Sequence, residues 1–108
     1  MTADELEAEF AARAVRPAGA TGTLLLAPPI ALELIARARS AGLPVLGVDG
    51  FIVEGDAVVS PLEHLADFSS AFERGDGAWD DAVAFVEARQ HAGLLFEVVL
   101  DDPFVPTT

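Results

Sequence analysis

Cysteine, lysine and tyrosine are absent from the 108 residues. Without cysteine the chain can form no disulfide and no thiolate metal site, which agrees with a reducing compartment. Without lysine there is no P-loop lysine, no Schiff-base nucleophile and no anchor for pyridoxal phosphate, so no cofactor is expected. Without tyrosine one common general acid is gone. Positive charge rests on six arginines, Arg13, Arg16, Arg37, Arg39, Arg74 and Arg89. No apolar run approaches the roughly 18 residues of a membrane span. The opening "MTADELEAEF" is acidic where a secretory leader would be basic and then apolar. The expectation is a cytoplasmic protein.

Acid is what the chain has in excess. The net charge is −12. Between Asp49 and Asp81 stand nine acids, Asp49, Glu54, Asp56, Glu63, Asp67, Glu73, Asp76, Asp80 and Asp81, against one base, Arg74, a net of −8 within that stretch. Such a concentration repels nucleic acid and anionic membrane and attracts a cationic partner. High net charge also serves solubility alone, and that plainer role stands beside the binding one.

A chain of this length with 52% hydrophobic residues suits one domain, residues 1–108, with an irregular tail at 103–108. Thr2 and Glu5 have capping-box spacing and start a helix whose thin apolar stripe is Leu6 and Phe10. "RPAGATG" (Arg16–Gly22) ends it. "TLLLA" (Thr23–Ala27) reads as a strand. A helix follows from Pro28-Pro29 to Gly42, with Ile30, Ala31, Leu34, Ile35 and Ala38 inward and Glu33, Arg37 and Arg39 outward. "PVLGVDGFIV" (Pro44–Val53) is the next strand, and the three together predict a parallel, right-handed βαβ unit. Gly55-Asp56 turns a hairpin back through Ala57–Val59. Ser60, Pro61 and Glu63 carry the signals of a helix start, "SSAFERGDG" reads as a loop or a ragged second turn, and Gly77–Gly93 is an amphipathic helix bearing Trp79, Ala82, Val83 and Val86. "LLFEVVLDD" (Leu94–Asp102) is the last strand. The fold class is therefore α/β, a mixed sheet of about four strands with flanking helices.

Candidate chemistry is sparse. Calcium ligation at Asp49 would need oxygens two and four residues on, where Phe51 and Val53 stand. Gly47 and Gly50 allow a bulge or bend that turns Asp49 outward. His64 and His91 lack zinc spacing, so no metal is expected. Ser69 and Ser70 follow "ADF" rather than a nucleophile elbow. Glu97 interrupts an apolar strand on the face opposite Phe96, Val98 and Leu100, which suits an ion pair, a partner contact or a catalytic carboxylate. Trp79 is a core residue or an interface anchor. No catalytic residue is assigned.

The strings "LGVDGF", "SPLEHLADFSS", "WDDAVAFVEARQ" and "LLFEVVLDD", following a helix of the "ALELIARARSAG" type, resemble small acidic bacterial immunity proteins of polymorphic-toxin systems. The resemblance spans Leu24 to Asp102 and carries no defined inhibitory residues. It implies a cytoplasmic inhibitor that binds a cognate protein toxin domain. The charge pattern, read beside it, suits nine acids from Asp49 to Asp81 covering a basic cleft. A general acidic interaction module or DNA mimic would use the same face. A small enzyme acting through Glu97 or Asp49 is the third reading.

Overall fold

In a computed structural model, which describes residues 1–15, 24–54 and 57–104, the N-terminal capping box forms as its spacing predicts. Glu5 N donates to Thr2 Oγ1 at 3.1 Å and Thr2 N donates to Glu5 Oε1 at 2.9 Å. Helix α1 (Ala3–Phe10) thereby starts with its first N–H groups satisfied, and it buries Ala3, Leu6 and Phe10. Helix α2 (Pro28–Ala41) begins on its proline pair and stops at Gly42, whose φ of +71° lets Leu43 N reach Ala38 O at 2.8 Å and Gly42 N reach Arg39 O at 3.1 Å. That is a Schellman ending, open to glycine because the left-handed region carries no Cβ penalty there.

Strand β1 (Val45–Glu54) is the hub of a four-stranded sheet. It pairs antiparallel with β2 (Ala57–Val59), β3 (Leu65–Asp67) and β4 (Leu95–Leu100). Strands β3 and β4 flank Gly47–Asp49 on its two edges. The α/β class holds, but the βαβ unit is split. Leu26 and Phe96 exchange hydrogen bonds of 2.8 Å across the far edge of β4, so β4 lies between that segment and β1. Two antiparallel steps still leave Leu26 running parallel to β1. The expected strand at Thr23–Ala27 is thus reduced to isolated bridges at Leu25 and Leu26.

Helix expectation fails at Ser60. Leu62–His64 is a single 3₁₀ turn and Leu65–Asp67 becomes β3. Ser60 Oγ does not cap a helix; it donates to Gly50 O at 2.9 Å. Pairing wins because the edge of β1 at Gly47–Asp49 would otherwise keep its backbone donors and acceptors unmatched. Gly47 makes this possible: a Cβ there would stand 2.8 Å from Ala66 O, so only glycine lets β3 approach so closely. Gly50 likewise admits a close neighbour, since a Cβ there would stand 3.1 Å from His64 Cβ. The expected irregularity is present but lies between Val45 and Gly47, ahead of Asp49, which itself sits in regular ladder.

After β3 a short helix α3 (Ser69–Glu73) forms, with Ser69 N donating to Asp67 Oδ1 at 2.8 Å. Helix α4 (Trp79–Glu87) is shorter than the expected Gly77–Gly93 span; a 3₁₀ turn at Gln90–Ala92 and Gly93 complete the passage to β4. Its entry is clamped by three contacts. Ala78 is held at φ +58° with its N–H on Asp76 Oδ1 at 2.8 Å, Trp79 Nε1 donates to Leu43 O at 2.8 Å, and Val45 N donates to Gly77 O at 2.9 Å. Helices α1, α2 and α4 share one core with Val45, Val48, Phe96, Val98 and Leu100. Along β4 burial alternates as predicted, with Leu95, Glu97 and Val99 on the opposite, half-buried face. Phe104 stacks on Phe72 at 5.2 Å. The break at Arg16–Gly22, the Gly55-Asp56 turn and the tail from residue 105 lie outside the described residues.

Candidate protein-binding surface

The hairpin and the segment after it place most of the nine acids on the surface. Glu54, Glu63, Asp67, Glu73, Asp76, Asp80 and Asp81 are exposed, Asp49 is half-buried, and Asp56 lies outside the described residues. They do not share one element. Glu54 ends β1, Glu63 and Asp67 belong to the turn and strand beside it, and Asp80 and Asp81 open α4, where the helix dipole favours negative charge.

Three arginine–carboxylate ion pairs join described residues, two outside this stretch and one within it. Arg37 pairs with Glu9 at 2.9 Å, and Arg13 pairs with Glu33, both between α2 and the N-terminal segment. Arg39 reaches Asp80 at 2.9 Å. Arg89 lies over the Phe85 ring at 3.8 Å and donates to Phe85 O and Glu63 O, each at 3.2 Å. Among the described residues, Asp80 is thus the one member of the acidic set with an arginine ion pair. Two others have structural work. Asp67 holds Ser69 N, a bond that keeps its carboxyl below the usual range, and Asp76 holds Ala78 N. Glu54, Glu63, Glu73 and Asp81 remain as exposed charge.

Asp49 has a neighbour that its spacing in the chain does not reveal. It stands directly opposite Glu97 in the β1–β4 ladder and opposite Leu65 in β3. Burial pushes its carboxyl above the ordinary value. Glu97 bears on Glu7 of α1 instead: burial first, then Asp4 and Glu97, raise the Glu7 carboxyl. Glu7, Glu97, Leu24, Leu26, Leu34, Val98 and Val99 line a cleft of about 230 Å³ at the outer edge of β4. Glu7 was not a candidate in the sequence; its one signal is its place on the flank of the Leu6–Phe10 stripe.

His64 is half-buried beside the knuckle at Leu62–His64, and His91 is exposed in the turn before β4. Among the described residues no group of three His, Cys, Asp or Glu side chains could hold a metal ion. No helix among them is long and apolar enough to cross a membrane. Comparison with family models, with curated proteins and with solved structures finds no match.

Proposed function

We propose that this chain is an immunity protein: a binder that neutralises a cognate basic protein toxin through the acidic surface of residues 49–81. The observation that carries the reading is the concentration of acid in residues 49–81, nine carboxylates against one arginine, most of them exposed. Among the described residues an arginine ion pair neutralises Asp80 there, and Glu54, Glu63, Glu73 and Asp81 have none. Exposed unpaired acids add little to folding. Against arginine or lysine of a partner, each desolvated pair is worth about 2–5 kcal/mol when one member is removed. They also raise the rate of encounter. The test is co-expression with the protein encoded beside this gene: a stable complex and protection of the cell support the reading, and no complex with a protein that kills its host overturns it.

One observation favours an enzyme as second reading. The cleft at the β4 edge joins two carboxylates, Glu7 and Glu97, and burial raises the Glu7 carboxyl, which suits a general acid. Glu97→Gln distinguishes the two: a binder keeps its affinity for the toxin, while an enzyme loses turnover.

A further inference from the structure

The binding reading leaves one surface unused, and it is apolar. Leu62 is 84% exposed, Val59 46%, Leu65 41% and Val53 36%. Scattered exposed leucines are ordinary on protein surfaces. These four, however, fall within the hairpin, the knuckle that follows it and the first residue of β3. The last β4 pair with β1 is Leu95 with Phe51, so the ribbon of Ile52–Glu54 and Ala57–Val59 runs on beyond β4. By strand alternation Val53 and Leu65 share the outer sheet face with Phe51, whereas Val59, paired with Ile52, belongs to the other face and flanks the patch at the edge of the ribbon.

The knuckle is fixed from three sides. Ser60 Oγ donates to Gly50 O at 2.9 Å, His64 N donates to Pro61 O at 2.9 Å, and Arg89 donates to Glu63 O at 3.2 Å while stacked on Phe85. A leucine held out to water on a braced turn loses little freedom on binding. Glu63 adjoins Leu62 in the turn, and Asp67 shares the outer face with Leu65.

We propose that this knuckle and hairpin form the apolar centre of the contact, with Leu62 as its anchor, and that the partner offers an apolar pocket ringed by arginine or lysine. The inference rests on the reading of this chain as a binder of a basic protein. Charge decides the occupant. A second copy would set acid against acid in a molecule of net charge −12, and nucleic acid or an anionic membrane would be repelled. A protein with cations around an apolar hollow satisfies both these acids and the apolar centre.

The test is a titration of ¹⁵N-labelled protein with a synthetic amphipathic peptide of leucine and lysine, beside a leucine-free peptide of equal charge. The expected result is that the leucine-bearing peptide shifts the amides of Val53, Glu54 and Ala57–Asp67 most, and that Leu62→Gln weakens it about tenfold, as loss of one buried leucine implies. The leucine-free peptide should bind parent and Leu62→Gln alike. Leu62→Gln should leave amide shifts elsewhere unchanged, because so exposed a side chain adds little to the fold. Arg89→Ala should broaden the amides of Leu62–His64 and weaken the same peptide with Leu62 still present. Equal affinity of parent and Leu62→Gln for the leucine-bearing peptide overturns the proposal. So does a concentration-dependent dimer abolished by Leu62→Gln, which would make a second copy the occupant. Because no toxin is used, failure here leaves the acidic-surface reading standing, and failure of that reading leaves this result standing.

Discussion

Replacing Trp79 by alanine removes an indole that packs on the core and donates from Nε1 to Leu43 O at 2.8 Å. Truncating a buried tryptophan costs about 3–5 kcal/mol. Trp79 is partly exposed, so the lower figure applies, about 3 kcal/mol, which includes the loss of a donor to the Leu43 carbonyl. For a domain of this size that lowers the melting temperature by roughly 12–24 °C. Gly77 supplies the internal control. A Cβ on Gly77 would stand 2.3 Å from Cζ2 of Trp79, so Gly77→Ala must displace the ring and should cost nearly as much. With the ring already gone, the same substitution should cost about 0.5 kcal/mol, giving a coupling within the roughly 0.5–3 kcal/mol range of contacting pairs. Circular-dichroism melts of the parent, both single variants and the double variant measure the cycle. A Trp79→Ala melting temperature within a few degrees of the parent, or additive single effects, would refute the clamp at the start of α4.

Ser60→Ala should cost about 1 kcal/mol through the lost bond to Gly50 O rather than through a helix cap, and helical ellipticity should not change. Asp80→Asn should shift stability by less than about 1 kcal/mol, since its pair with Arg39 is exposed; a urea titration reads it. Asp49→Asn should stabilise the fold at neutral pH. Burial raises the Asp49 carboxyl, so the parent's favourable protonated form is fully present below the unfolded-state value and lost as pH rises through the raised one. The gain should therefore vanish in acid, and melts at both pH values check it.

Much of the fold was legible because local signals and tertiary packing agreed. The Thr2–Glu5 box, the Pro28–Gly42 helix and the alternation of Phe96, Val98 and Leu100 each read the same way at both levels. Ser60–Glu63 misled because a helix start and a turn before a strand use the same residues, and the free edge of β1 decided between them. The βαβ expectation found the direction of Leu26 but could not foresee β4, which arrives some seventy residues later in the chain. Charge density along residues 49–81 was visible in the sequence, whereas the division of labour within it was not. Which acids are tied down depends on Arg39, Ser69 and Ala78, none of which sequence spacing links to a partner role. Asp49 facing Glu97 and Glu97 nearing Glu7 are likewise products of register and helix placement.

The acids that should act on a partner are those without structural duties, Glu54, Glu63, Glu73 and Asp81. The most direct measurement of the proposed binding is stopped-flow association of the protein encoded beside this gene with the parent and with a variant carrying Glu54→Gln, Glu63→Gln, Glu73→Gln and Asp81→Asn, at low and high salt. The account predicts that the parent's on-rate falls steeply with salt while its off-rate changes less, and that the variant associates more slowly at low salt with a nearly flat salt dependence. The same steep on-rate in both proteins would contradict it.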